Sequence, residues 1–236
     1  MAVKKIELAG IGTVTLNKRR DARSIRLSIN ARGQVKVSMP YWLPYASGIE
    51  FARGRQDWIA EHVGKRQVNR LVNGQTIGKN HRLVFEASPV ASKISSRLEP
   101  TIVRITHPAS KNSQDDSSVQ QAAQKAAIRA LRSEAEELLP PRLAKLAREY
   151  GFKYRSVQVK QLTGRWGSCD SHQNITLNLF LMQVSWDLID YVLFHELTHT
   201  TIMRHGPDFW SAMERVLPDT QIRRKAMRQH QPVIGA

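Results

Sequence analysis

The chain has 236 residues, 41% of them hydrophobic, with one cysteine and a formal net charge of +16. That is enough for one large or two modest domains with a real core, and too little cysteine for an internal disulfide framework. No apolar run reaches the roughly 18 residues of a spanning helix, and the start, Met-Ala-Val-Lys-Lys-Ile-Glu, lacks the apolar core of a secretory signal. A membrane role is therefore set aside, and a soluble protein of the reducing cytoplasm is expected.

The charge is uneven. Residues 1–110 carry 19 Lys/Arg against 7 Asp/Glu, and residues 111–236 carry 17 against 13. A basic first part suits an anionic partner, nucleic acid or an acidic protein, and equally serves plain solubility. No nucleic-acid-binding motif accompanies it.

In chain order, residues 3–39 read as short strands. Ile6 and Leu8, Val14 and Leu16, then Ile25, Leu27 and Ile29 alternate with polar neighbours, and Val35, Val37 and Met39 repeat the pattern. Asn30-Ala31-Arg32-Gly33 fits a hairpin turn, with Gly33 where φ is positive. Tyr41, Trp42 and Tyr45 lie between Pro40 and Pro44 and serve either base stacking or packing. From Ala46 to Leu71 the period becomes helical, with Ile49, Phe51, Trp58, Ile59 and Val63 on the apolar face and Arg53, Arg55, Lys65, Arg66 and Arg70 around it. After the Asn73-Gly74 turn come strands at 76–77, 83–85, 94–98 and 102–105, spaced for a small antiparallel sheet.

Residues 107–118 are polar, and the domain boundary is expected at 111–118. A helix rich in Ala, Gln, Glu, Lys and Arg follows from Val119 to Leu139. Pro140-Pro141 interrupts it, and a second helix runs from Arg142 to Tyr150, with Gly151 as its stop. Strands at 156–162 and 174–179 flank Gly164-Arg165-Trp166-Gly167-Ser168-Cys169. A helix from Trp186 to Met203, one from Pro207 carrying Phe209, Trp210 and Met213, and a basic helix from Asp219 to Gln229 complete the chain. No internal repeat is apparent.

The helix after Ser185 contains His195-Glu196-Leu197-Thr198-His199. Positions i and i+4 share one helix face a turn apart, so His195 and His199 present imidazoles to a single ion. Glu196 borders the same spot. Catalytic zinc takes three protein ligands and keeps one position open. The third ligand is His205, six residues on, or Glu214 on the following helix; ligand preference favours His205. By chance a His-Glu-x-x-His pattern arises in about one such sequence in eighty. The apolar spacing of Leu188, Ile189, Val192, Leu193 and Ile202 around it adds a helical context. The competing reading is a buried helix whose histidines only hydrogen-bond to neighbours. Asp208 is either an acceptor orienting an imidazole or a first-turn carboxylate. Arg165, Tyr191 and His172 are open as stabilisers of a tetrahedral oxyanion. Cys169 reads as a small apolar residue, and Trp166 and Trp210 as packing.

Arg165-Trp166-Gly167-Ser168-Cys169, Ile175-Thr176-Leu177-Asn178, Asp190-Tyr191-Val192, the His-Glu-x-x-His core and His205-Gly206-x-x-Phe209-Trp210 together resemble the YgjP-like metallopeptidases, zinc hydrolases related to the WLM and SprT-like proteases. These motifs span about residues 119–236. The resemblance implies a compact zincin domain with Zn2+ on His195, His199 and His205, Glu196 as general base, a strand beside the site helix, and a protein or peptide substrate. The fold class expected is α+β: a basic, mostly antiparallel β region over 1–110 with one helix, a linker at 111–118, and a zincin-like domain over 119–236. The function expected is peptide hydrolysis by a metal-activated water. The rival classes are a nucleic-acid-associated module with a structural zinc, and a protease recruited to nucleic acid by the basic first part.

Overall fold

A computed structural model describes residues 3–29, 35–67, 70–112, 116–230, 232 and 234, without the side chains of residues 62–67. The hairpin turn expected at Asn30–Gly33, the side chains of Val63, Lys65 and Arg66, and residues 113–115 of the expected linker lie outside the described residues. The architecture is mixed α and β with small sheets. The chain divides into two compact units, Met1–Arg70 and Leu71–Ala236.

The first unit is a four-stranded sheet with two helices. Its strands are β1 (Val3–Leu8), β2 (Gly12–Arg19), β3 (Arg26–Ile29) and β4 (Val35–Pro40), in the order β1-β2-β4-β3. The alternation in the sequence becomes one buried face: Val14 sits opposite Val35 and Leu16 opposite Val37, all nearly inaccessible. Helices α1 (Tyr45–Arg53) and α2 (Gln56–Gln67) add Ala52 and Ile59 to that core. The single helix expected over 46–71 is therefore two. Gly54 weakens helical continuity, and the Arg55 N–H bonds the Ala52 carbonyl in a tighter turn.

The second unit begins with the same sheet plan. Strands β5 (Thr76–Ile77), β6 (His81–Ser88), β7 (Ser95–Leu98) and β8 (Ile102–Pro108) take the order β5-β6-β8-β7. In both sheets the outer pairs are antiparallel and the central pair, β2/β4 or β6/β8, is parallel. The sheet expected to be antiparallel is thus mixed. The internal repeat, invisible as sequence similarity, exists as topology.

Helix α3 (Ser117–Tyr150) packs along the second sheet through Ala123, Ala126, Ala127 and Ala130, whose small side chains let the helix approach closely. Asp116 caps its start by accepting from the Ser118 and Val119 N–H groups, and Gly151, at φ 74°, ends it. The two helices expected on either side of Pro140-Pro141 are this one helix. The carbonyls that two prolines leave unbonded belong to Glu136 and Glu137, which are exposed to water, while Leu139 and Leu143 are fully buried and hold the helix together. Glu134 pins α3 to the sheet. Its carboxylate is 1% exposed and accepts from the backbone N–H groups of Lys79, Asn80 and His81 and from His81 Nδ1.

A third sheet has the order β10-β11-β9, from β9 (Ser156–Lys160), β10 (Gly167–Cys169) and β11 (Asn174–Asn178). Ile175 and Leu177 of β11 are fully buried in the core that also holds β6, β8 and α3. One core thus spans 71–234, and the stretch expected to divide domains, 111–118, lies inside the second unit. Polarity marked an exposed connection there rather than a boundary. Helices α4 (Trp186–His199), α5 (Pro207–Val216) and α6 (Thr220–Gln229) follow.

Candidate active site

Helix α4 is apolar on nearly every side, with Leu188, Ile189, Val192, Leu193, Phe194 and Leu197 all buried. Such a helix is central rather than superficial. A bidentate ion pair from Arg142 of α3 to Asp190 ties it in place. It ends at His199, four residues before the expected Met203. The Thr200 hydroxyl donates to the Leu197 carbonyl at 2.7 Å and the Thr201 hydroxyl to Thr198 at 3.0 Å, taking acceptors that a continued helix would use. Residues 200–206 then turn back, and Pro207 opens α5 behind Gly206.

This turn brings three imidazoles together. The Nε2 atoms of His195 and His199 are 3.2 Å apart, those of His199 and His205 3.1 Å, and those of His205 and His195 3.0 Å. Three nitrogens about 2.0–2.1 Å from one tetrahedral ion would stand roughly 3.3 Å from one another. These three histidines are the group among the described residues able to share an ion. His199 donates from Nδ1 to the Ile202 carbonyl at 3.0 Å, which leaves its Nε2 as a lone pair. Burial, reinforced by His199, His205 and Arg224, pushes His195 down to about 3, so it is neutral at physiological pH and able to ligate.

Phe209 of α5 is the floor under the triad. It is fully buried, with its ring centroid 4.9, 4.6 and 4.8 Å from those of His195, His199 and His205. Trp210 stacks on His205 at 5.8 Å.

Glu196 lies beneath strand β10. It is 4% exposed, and a Cβ built on Gly167 would stand 2.6 Å from its Oε1. Only glycine lets the strand pass this close. Burial pushes the Glu196 carboxyl up to about 8, with Arg165 pulling the other way. Its Oε2 and His195 Nδ1 are buried without a hydrogen-bond partner among the described residues. Unpaired buried polar atoms are costly, so the Glu196 oxygen marks where a further group belongs. The donor set, three imidazoles beside an unpartnered carboxylate oxygen, fits a divalent cation with a water.

The remaining candidates separate. Arg165 and Tyr191 line a cleft of about 660 Å³ with His195, His205, Glu196, Trp166 and Trp210. His172 is in an exposed turn held by Asp170. Glu214 is exposed and accepts from Gln221 at 3.0 Å, outside the histidine group. Asp208 is an exposed first-turn carboxylate of α5, and the acceptor orienting His199 is instead the Ile202 carbonyl. Cys169 is half-buried, its thiol pushed up to about 11 chiefly by burial, so it is an unreactive packing group. Trp166 and Trp210 pack and line the cleft at once. Sequence reasoning missed Gly167, Phe209, Arg224 and Arg228 as parts of the site. Signals existed for Gly167, a glycine inside a strand, and for the arginines, four apart on a basic helix.

The family model described as YgjP-like, metallopeptidase domain, matches residues 23–230. No curated protein matches the chain. Among solved structures, the crystal structure of the metallopeptidase zymogen of Pyrococcus abyssi abylysin is similar to 38% of this chain, over 91% of its own, with 20% identity and a TM-score of 0.35.

Proposed function

We propose, from the premise that this chain belongs to the YgjP-like metallopeptidase family, that it is a zinc-dependent peptidase whose second unit is a zincin-like domain. The observation that carries this reading is the convergence of three Nε2 atoms within 3.2 Å of one another beside a buried, unpartnered Glu196 oxygen. His195, His199 and His205 hold the ion, with His199 oriented by the Ile202 carbonyl. A zinc ion bound there would supply Lewis acidity toward a water and toward the peptide carbonyl. Glu196 accepts a proton from the attacking water and returns it to the leaving amine nitrogen. Its burial raises its basicity for the first transfer, and Arg165 keeps the carboxylate form accessible. Phe209 and Val192 keep bulk water from the floor and wall of the cleft.

Glu196→Gln keeps the side-chain shape and removes the base. The expected outcome is retained zinc with hydrolysis lowered by about 10²–10⁴-fold, the usual contribution of a positioned base. Full turnover by that variant would exclude Glu196 from the role.

A second reading, that the first unit recruits the peptidase to nucleic acid, is favoured by one feature. Tyr41 and Trp42 are more than half exposed in a unit carrying 14 Lys/Arg against 5 Asp/Glu.

A further inference from the structure

The cleft beside the triad has an uneven charge lining. Arg165 enters from the loop before β10, and Arg224 and Arg228 from α6. Four residues apart, the two helix arginines share a face. Met227 is buried and anchors the helix. The Arg224 guanidinium lies 3.9 Å from the Trp210 ring centroid, and Trp210 stacks on His205, so a fixed positive charge stands one ring away from a candidate metal ligand.

Arg165 acts on Glu196 across the cleft, but neither Arg224 nor Arg228 has a carboxylate partner among the described residues. Their neighbour Arg223, on the same helix, pairs with Asp187 and Asp219 at 3.6 and 3.9 Å. Like charges at i and i+4 destabilise a helix slightly, so folding alone gives no reason for an uncompensated pair facing a concave site. The carboxylate lining the cleft, Glu196, is buried against Gly167 rather than paired with α6. Among the described residues no carboxylate compensates Arg224 and Arg228, which leaves that place for a group on what enters. Guanidinium groups bind carboxylates through two parallel hydrogen bonds, and an aromatic face pre-orients the fork.

We propose that this cleft selects peptides carrying a carboxylate within a residue or two of the scissile bond, bound by Arg224 and Arg228 with Arg165 opposite. The carboxylate is an acidic side chain or a free C-terminus. This inference rests on the peptidase reading for the words "scissile bond", but not for the binding preference itself.

The test uses the full-length Glu196→Gln chain loaded with zinc and fluorescently labelled peptides of one scaffold, read by anisotropy. One peptide carries an internal Glu and an amidated end, one Gln and an amidated end, and one Gln and a free C-terminal carboxylate. The Glu peptide or the free-end peptide is expected to bind about tenfold or more tightly than the neutral one, with the gap narrowing as salt is added; which of the two gains identifies the source of the carboxylate. Arg224→Gln with Arg228→Gln should erase the gap between the charged and the neutral peptides. The exposed single change Arg228→Glu, which leaves the Trp210 stack intact, should turn the preference toward a Lys peptide. Equal binding of all three peptides, a gap that survives the paired substitution in a folded protein, or displacement of the Glu peptide by an equimolar single-stranded oligonucleotide would each overturn the proposal. Selective binding with no hydrolysis by the parent chain would uphold this cleft and remove the peptidase reading. Glu196-dependent hydrolysis without any charge preference would do the reverse.

Discussion

Gly167 shows how far a single side chain controls this site. Its backbone passes so near Glu196 that one added carbon would meet Oε1 at 2.6 Å, Cγ at 2.8 Å and Cδ at 2.9 Å. Glu196 is nearly fully buried and has no room to retreat. Gly167→Ala is therefore expected to displace the carboxylate or lift the strand. A misplacement of about 1 Å costs on the order of 10²-fold in rate, while the three histidines, on other elements, should keep their zinc. Steady-state peptide hydrolysis alongside metal content checks this; wild-type kcat in a metal-replete Gly167→Ala protein would show that the contact is unimportant. At this scale the sequence was most legible where chemistry fixes spacing. His195 and His199 are one helical turn apart by rule, and His205 was reachable through ligand preference and the match to the family pattern. Glu214 competed only because nothing local says how a chain returns. Phe209 was visible as an apolar residue but not as a floor, since contact with three separated rings is a tertiary fact.

Among the elements, α3 has the widest reach. It packs on the second sheet, caps the β5–β6 turn through Glu134 and holds α4 through Arg142 and Asp190. Glu134 is a buried carboxylate that three backbone N–H groups and one imidazole satisfy. Removing it strands those donors in the interior. Glu134→Ala is expected to cost about 3–5 kcal/mol, as for breaking a buried charged network. Urea unfolding monitored by tryptophan fluorescence measures it; a loss below about 1 kcal/mol would mean the turn is held by something else. Pro140-Pro141 misled the local reading because proline rules describe a helix in isolation, whereas Leu139 and Leu143 are locked into the core on either side. Gly54 ran the other way. The helical period over Ala46 to Leu71 ran straight through it, yet the chain turns there and Arg55 stacks on Phe51.

For the whole molecule, the basic excess is shared: Met1–Arg70 carries 14 Lys/Arg against 5 Asp/Glu and residues 71–236 carry 22 against 15, with the histidine site in the second unit. The α+β class followed from strand alternation and helical period, but pairing sense did not. Whether β6 joins β8 in parallel depends on where β7 packs, which no window of sequence contains. The same holds for the boundary, since a polar loop at 111–118 and a true division at 70–71 look alike without knowledge of the shared core. If the first unit engages nucleic acid, affinity of the full chain for single-stranded DNA should fall steeply between 50 and 200 mM salt, by about 10²-fold or more for several phosphate contacts. Combined Tyr41→Ala and Trp42→Ala should weaken it further at fixed salt. Absence of binding at low salt would leave the charge to solubility. The account as a whole stands on three imidazoles sharing one ion with room for water. X-ray absorption at the zinc edge of the loaded full-length protein reads that directly. It should show three imidazole nitrogens and one further light atom near 2.0–2.1 Å. A sulfur shell near 2.3 Å, or no zinc retained in stoichiometric amount, would contradict it.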